Sequence, residues 1–130
     1  MEESKDPLLS LVADDALSID RARIAEFLRP LVSIDKKSMQ LTFRSTFHSI
    51  DDNRRKIEVV LAGALARSLV FPDVSPSLLP KEIIAMQVMP AGSVKTALRT
   101  LIKSGSIKKD SAGAYHIPMY RLDELFSESV

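Results

Sequence analysis

The sequence predicts a mainly α-helical domain with a small β component, an α+β fold, and three patterns lead to that prediction. Residues 51–71 are apolar with helical spacing, which predicts a long buried helix. A tight turn at residues 90–92 separates two further predicted helices. Short apolar alternations around residues 36–39 and 110–113 predict two β-hairpins. The chain has 130 residues, 45% of them hydrophobic, so it can bury the core of one compact domain.

The N-terminal part of the chain is predicted to be an extension of this domain. Residues 1–17 are acidic and lack apolar periodicity, so we expect a flexible acidic N-terminus. A short amphipathic helix is expected next, and Pro30 ends it because proline cannot continue a helix. Alternating apolar residues in segment 31–44 predict the first hairpin. Helix and hairpin together form an extension over residues 18–50.

The long helix at residues 51–71 is apolar nearly all round, which predicts that it is the central, most buried helix. Ser49 is its predicted N-cap, because a serine side chain can accept a hydrogen bond from a free N–H in the first turn. Gly63 is expected to mark close contact with another helix, of this chain or of a second subunit.

Two helices joined by a tight turn follow a proline-rich loop. Pro80 suits the first position of a short helix, since its missing N–H would be unpaired there in any case. The turn at residues 90–92 ends that helix, and Ser93 is the predicted N-cap of the next one. This second helix is expected to close at Gly105, because glycine tolerates the left-handed conformation that ends many helices.

The second of these helices has one apolar face and one basic face. Its apolar residues recur at three- and four-residue spacing. The opposite face carries no acid and consists of Lys95, Thr96, Arg99, Thr100 and Lys103. Lys95, Arg99 and Lys103 are successive i, i+4 neighbours, so their repulsion costs an isolated helix roughly 0.2 to 0.5 kcal/mol per pair. A polyanion such as a nucleic-acid backbone would relieve it.

The second hairpin follows this helix directly. Lys108 and Lys109 are placed on or near its tip, beside the turn at residues 110–113. Short helix, tight turn, basic amphipathic helix and basic hairpin together make residues 51–120 resemble a winged helix-turn-helix domain, in which the hairpin is the wing. Residues 121–130 are then expected to be a C-terminal tail.

The resemblance implies binding to duplex DNA and a role in transcription regulation. Its second helix would lie in the major groove and its wing on the flanking backbone or minor groove. The residues that would contact DNA are Ser93, Lys95, Thr96, Arg99, Thr100, Lys103, Lys108 and Lys109.

Charge is unevenly distributed along the chain, although its net value is only +1. Residues 1–20 contain six acids and one base, whereas residues 81–109 contain six bases and one acid. This segregation favours a polyanionic partner for the basic segment. The plainer interpretation is a solvated helix face combined with an acidic tail.

Several function classes are disfavoured by composition. The chain has no cysteine, and its two histidines lack the spacing of a zinc site, so we expect neither a metal site nor a cofactor. No phosphate-binding glycine loop or nucleophile elbow is present, and we do not expect an enzyme. No signal peptide or membrane span is predicted, which places the protein in the cytoplasm. Few aromatic residues are expected at the surface, which favours duplex DNA over single strands.

Alternatives remain open from the sequence. The chain could be a non-catalytic winged-helix subunit that binds protein within a larger assembly, using segment 31–44 and a methionine-bearing surface. A homodimer is also possible, through residues 19–29 or through residues 120–126. The acidic start could shield the basic helix, or it could serve solubility alone.

Overall fold

A computed structural model describes residues 16–128 as a mixed α+β fold, which confirms the predicted fold class at that level. The predicted flexible N-terminus lies almost entirely outside these residues. Within them, no helix is long and apolar enough to cross a membrane. The elements in chain order are α1 (Ala16–Leu28), β1 (Val32–Ile34), β2 (Leu41–Phe43), α2 (Ser45–His48), α3 (Asn53–Val70), α4 (Pro80–Ala85), α5 (Ala91–Ser104), β3 (Lys108–Lys109), β4 (Tyr115–His116) and α6 (Met119–Glu128).

Helix α3 is the central helix, as its sequence predicts, and eight consecutive residues from Ile57 to Ala64 are buried in it. Its N-cap is Asp52, whose side chain accepts a hydrogen bond from the Arg54 N–H at 2.9 Å. The prediction of Ser49 as the N-cap is wrong, because residues 45–48 form the separate short helix α2 and Ser49 is the C-cap of that helix. Helix α2 buries Phe47 in the core.

The first predicted hairpin is confirmed. Strands β1 and β2 pair antiparallel, with Val32 opposite Phe43 and Ile34 opposite Leu41. This hairpin packs on α3 at Gly63, where an added Cβ would meet the Leu41 side chain at 3.4 Å. The expected close contact at Gly63 is therefore present, but its partner is the hairpin and not a helix.

Helices α4 and α5 lie on either side of the predicted turn. Pro80 is the first residue of α4, as predicted, and the Glu82 side chain accepts a hydrogen bond from the Leu79 N–H at 2.7 Å. Helix α5 already begins at Ala91 with Pro90 as its N-cap, so the prediction of Ser93 as the cap is wrong. Gly105 closes α5 with a φ of 80°, as predicted.

The second predicted hairpin is also confirmed, since β3 and β4 pair antiparallel. Lys108 and Lys109 form β3 itself, and the turn beyond them is held by Asp110, which accepts hydrogen bonds from the N–H groups of Ala112 and Ala114. Tyr115 also pairs with Leu78, which precedes α4, through two backbone hydrogen bonds of 2.7 and 2.8 Å. This bridge ties the start of the α4–α5 unit to the hairpin that follows it.

The last described element is the helix α6, so the prediction that residues 121–130 are a tail is wrong for the described residues. Leu122, Leu125 and Phe126 of α6 are buried in the core. Helix α1 packs there too, with Phe27 against Phe126 at a ring-centroid distance of 5.1 Å. Most described apolar side chains of segments 19–29 and 120–126, which suggested a dimer surface, thus pack into the core of the chain itself.

Candidate nucleic-acid interface

Helix α5 separates its two faces as the spacing predicts. Val94, Ala97, Leu98 and Leu101 are buried, and they fix the orientation of the helix against α3 and α4. Lys95, Arg99 and Lys103 are all exposed on the other side. We use the term basic surface for these three residues together with Lys108 and Lys109 of β3, which are also exposed.

A groove of about 450 Å³ runs between α5 and the β3–β4 hairpin. Lys95 and Arg99 come to it from α5 and Lys109 from β3, so two successive elements bring three cations to one groove. Among the residues that the structure describes, no acid lines it, and those that do are Pro80, Lys95, Leu98, Arg99, Ile102, Lys109 and Tyr115. We call it the hairpin-side groove. Three cations in its described lining make the groove attractive to an anion.

The remaining predicted contact residues of the helix face the other way. Ser93, Thr96 and Thr100 line a second groove, between α5 and the start of α3. Asp51 and Asp52 line the same groove, which we call the α3-side groove. The structure thus divides the predicted site residues, with cations on the hairpin side and hydroxyls beside carboxylates on the α3 side.

The Asp52 carboxyl is firmly ionised in this position. Burial works against ionisation, but hydrogen bonds from the side chain and backbone of Arg54 more than offset it and hold the pKa of Asp52 below its usual range. Arg54 also forms an ion pair with this carboxylate at 3.3 Å. The α3-side groove therefore carries negative charge at neutral pH, although Arg54 compensates part of it.

Tyr120 is a residue of this region that sequence reasoning missed. Its hydroxyl donates a hydrogen bond to the Gly105 carbonyl at 3.0 Å, at the junction of α5 and the β3–β4 hairpin. The Lys108 ammonium lies 6.0 Å from its ring centroid, a cation–π distance. The Lys109 ammonium likewise lies 5.8 Å from the ring centroid of Tyr115. The sequence feature that could have indicated this role is the tyrosine directly after the hairpin. The ring of a tyrosine can pack against neighbours while its hydroxyl forms a hydrogen bond with the backbone.

Other candidate groups do not converge on a chemical site. Among residues 16–128, no three histidine, aspartate or glutamate side chains form a group that could hold a metal ion. Met86 and Met89 are half-buried and pack against the core, so the methionine-bearing surface is mainly core filling.

The basic surface and the hairpin-side groove therefore stand as the chemically distinctive feature of α5 and its hairpin. Lys95, Arg99 and Lys109 lie on one side of α5, and the carboxylates of Asp51 and Asp52 lie on the other side of the helix. Comparison with protein-family models, with curated proteins and with solved structures finds no match to this chain.

Proposed function

We propose that the chain is a winged helix-turn-helix protein that binds duplex DNA and regulates transcription. The order of α3, the Leu78 bridge, α4, α5 and the β3–β4 hairpin supports this fold assignment. In it, α3 is the first helix of the module, α5 its recognition helix and the hairpin its wing. The bridge supplies the third, short strand beside the wing.

The observation that carries the proposal is the convergence of Lys95, Arg99 and Lys109 in the hairpin-side groove. Lys95 and Arg99 belong to α5 and Lys109 belongs to β3, yet all three line one surface. No acid is among the described residues that line it. Several cations on one surface suit a phosphate backbone, which carries regularly spaced negative charges.

In the proposed complex, α5 enters the major groove with its outer face toward the bases. Arg99 and Lys103 project from that face, with Lys95 on its hairpin side and Thr96 on its α3 side. Lys108 and Lys109 contact the adjacent backbone. Ser93 and Thr100 sit nearer the carboxylates of the α3-side groove, so we assign them contacts at the edge of the footprint.

The test is duplex binding as a function of salt. The protein is expected to bind random duplex DNA at 50 mM salt, and five phosphate contacts give a log–log slope of about −4 to −5. A double variant, Lys95→Gln with Lys109→Gln, should make the slope less steep by about 2. Each phosphate contact that is lost means about one counterion fewer is released on binding. The matched control is Lys36→Gln with Lys37→Gln, which removes the same charge from the turn of the first hairpin.

Equal effects of the two double variants would contradict the assignment, since they would show dependence on net charge alone. A flat salt response, or no binding at 50 mM salt, would contradict duplex binding altogether.

A second candidate function is protein binding within a larger assembly. The observation that favours it is the position of Asp51 and Asp52 beside Ser93, Thr96 and Thr100, because phosphates approaching that side of α5 would be repelled. A mixed surface of cations, hydroxyls and carboxylates suits a protein partner. Absence of DNA binding in the salt titration would select this function.

A further inference from the structure

The hairpin-side groove contains apolar side chains as well as cations. Beside its three cations, the described residues that line it are apolar or aromatic, namely Pro80, Leu98, Ile102 and Tyr115. The cations suit phosphates, but the apolar carbons do not, because a phosphate that lies against them loses water without gaining a hydrogen bond. A ligand that matches the groove should therefore bring an apolar group close to its negative charges.

Ile102 is the most exposed of these apolar residues. Leu98 is buried, Pro80 and Tyr115 are half-buried, and Ile102 is 37% exposed. Helical spacing groups Ile102 with the buried residues of α5, yet its side chain reaches the surface on the side of the helix that carries Lys95. Among the described residues of α5, it is the only large apolar side chain that is exposed. It is therefore the apolar group of α5 that a ligand in this groove can contact.

Thymine supplies such an apolar group in duplex DNA. Its C5-methyl group lies in the major groove, where the other groups of the base edges are hydrogen-bond donors and acceptors. Contact with one methyl group needs only a few carbon atoms, so the exposed part of Ile102 is sufficient. Ile102 follows Arg99 by three residues, about 4.5 Å along the helix axis, and successive bases of one strand are about 3.4 Å apart. The two side chains can therefore reach neighbouring base pairs.

We propose that Ile102 is a specificity-determining residue that contacts the C5-methyl group of a thymine beside the guanine that Arg99 contacts. This inference rests on the proposed duplex binding and adds a sequence feature of the target. The thymine methyl group leaves water when it packs against the isoleucine, and one buried methyl group is worth about three- to four-fold in affinity. The preferred site then contains a thymine within about two base pairs of that guanine.

The experiment replaces thymine by deoxyuridine, which lacks only the C5-methyl group and pairs with adenine in the same way. The full-length protein selects its preferred duplex from random sequences, and each thymine of that duplex is then replaced in turn. The guanine that Arg99 reads is identified as the one whose preference is lost in Arg99→Ala. One replacement close to this guanine should lower affinity about three- to four-fold, and the others should change it little.

Substitutions of Ile102 connect this difference to its side chain. Ile102→Ala should make the thymine and deoxyuridine duplexes bind equally, because the shortened side chain no longer reaches the methyl group. Ile102→Val keeps a branched apolar side chain and should retain most of the difference. The matched control is Val70→Ala, which shortens an exposed apolar side chain at the end of α3, outside the described linings of both α5 grooves. The control should leave the ratio of the two affinities unchanged.

Failure of this inference is distinguishable from failure of duplex binding. Duplex binding with equal affinity for thymine and deoxyuridine at every position, or a preferred site without a thymine near that guanine, would overturn the role of Ile102 alone. An undiminished difference in Ile102→Ala would also overturn it, since another residue would then contact the methyl group. The comparison with the unaltered protein decides the question even if Ile102→Ala does not fold. No binding to any duplex at 50 mM salt would contradict both proposals.

Discussion

In the proposed duplex complex, Arg99 is the residue of the basic surface best placed to read a base. It is exposed, it lies between Lys95 and Lys103 on the outer face of α5, and it lines the hairpin-side groove. Its planar guanidinium can donate two parallel hydrogen bonds to the edge of a guanine, which a lysine cannot do. Lys108, in contrast, extends from a strand beside Tyr120 and suits a backbone phosphate.

Substitution of these two residues should separate base reading from backbone binding. Arg99→Ala should weaken binding to the preferred site by about 1 to 3 kcal/mol and flatten the preference for that site. Lys108→Ala should weaken binding to all sequences alike. The measurement is affinity for selected and scrambled duplexes at one salt concentration. If both variants lost affinity equally on every sequence, the basic surface would bind without reading bases.

Asp52 provides a pH-dependent contribution to folding. Its pKa is lower in the folded chain than the usual 3.8, because hydrogen bonds from Arg54 outweigh burial. The ionised N-cap therefore stabilises the fold above that value, and the stabilisation is lost as the pH falls through the folded-state pKa. Asp52→Ala should lower the free energy of unfolding by about 1 kcal/mol at pH 7.

Denaturant unfolding of the native chain and of Asp52→Ala at several pH values checks this. The difference between them should begin to shrink below about pH 4, where the unfolded chain takes up the proton, and should be smallest once the pH has fallen below the lowered pKa of the folded state. Asp51→Ala, which removes the neighbouring carboxylate but no cap, should show little difference at either pH. A gap that stayed constant down to pH 2 would exclude the ionised carboxylate as its cause.

Single capping residues were the least predictable feature of the sequence. Ser49 and Ser93 both precede helical patterns and are common N-cap residues, yet Asp52 and Pro90 hold those positions. In both cases the observed cap lies three residues from the predicted one, and packing of the whole helix decides between such neighbouring positions. The glycine end of α5 was predictable because a φ of 80° is open to few other residues.

Among the elements, α6 is the one whose place in the fold depends on a buried charge pair. Arg121 donates to both carboxylate oxygens of Glu58 on α3, at 2.5 and 3.1 Å. Glu58 is only 3% exposed. Arg121 also pairs with Glu124 on its own helix, which is largely exposed. The bidentate geometry fixes α6 against α3 at one register, while its three buried apolar residues supply the contact area.

Glu58→Ala should destabilise the chain by about 3 kcal/mol or more, because it removes the buried carboxylate to which Arg121 donates two hydrogen bonds. Glu124→Ala removes an acid from the exposed side of the same arginine and should change stability by less than about 0.5 kcal/mol. Thermal or denaturant unfolding measures both. Similar small effects from the two substitutions would show that α6 is held by its apolar contacts alone.

Elements with strong local patterns were predictable, and elements defined by distant contacts were not. The periodicity of α3 and α5 and the alternation in the two hairpins correspond to observed elements. The bridge between Leu78 and Tyr115 joins positions far apart in sequence, and no local pattern marks it. Leu122, Leu125 and Phe126 have helical spacing, but only the fold shows that their partner is the chain's own core.

At the scale of the whole molecule, folding places positive and negative side chains on different surfaces, an arrangement that their order in the sequence does not show. The cations of residues 95–109 meet in the hairpin-side groove, although the net charge of the chain is +1. Folding also brings Asp51 and Asp52 to the opposite side of α5, which the linear charge pattern did not indicate. In the proposed complex, a duplex that approaches α5 therefore meets cations on the hairpin side and carboxylates on the α3 side. Docking should tilt toward the β3–β4 hairpin.

Neutralising the unfavourable flank should strengthen duplex binding. Asp51→Asn removes one negative charge beside Ser93 and Thr96 without touching the Asp52 cap, and one charge near a phosphate is worth about 0.5 to 1 kcal/mol at low salt. Affinity for random duplex DNA should rise about two- to five-fold at 50 mM salt, and the gain should fade near physiological salt. Asp73→Asn is the control, since Asp73 follows the far end of α3, about 27 Å away along the 18-residue helix. Equal gains from both variants would mean that only net charge matters, and no gain from Asp51→Asn would mean that the duplex does not reach this flank of α5.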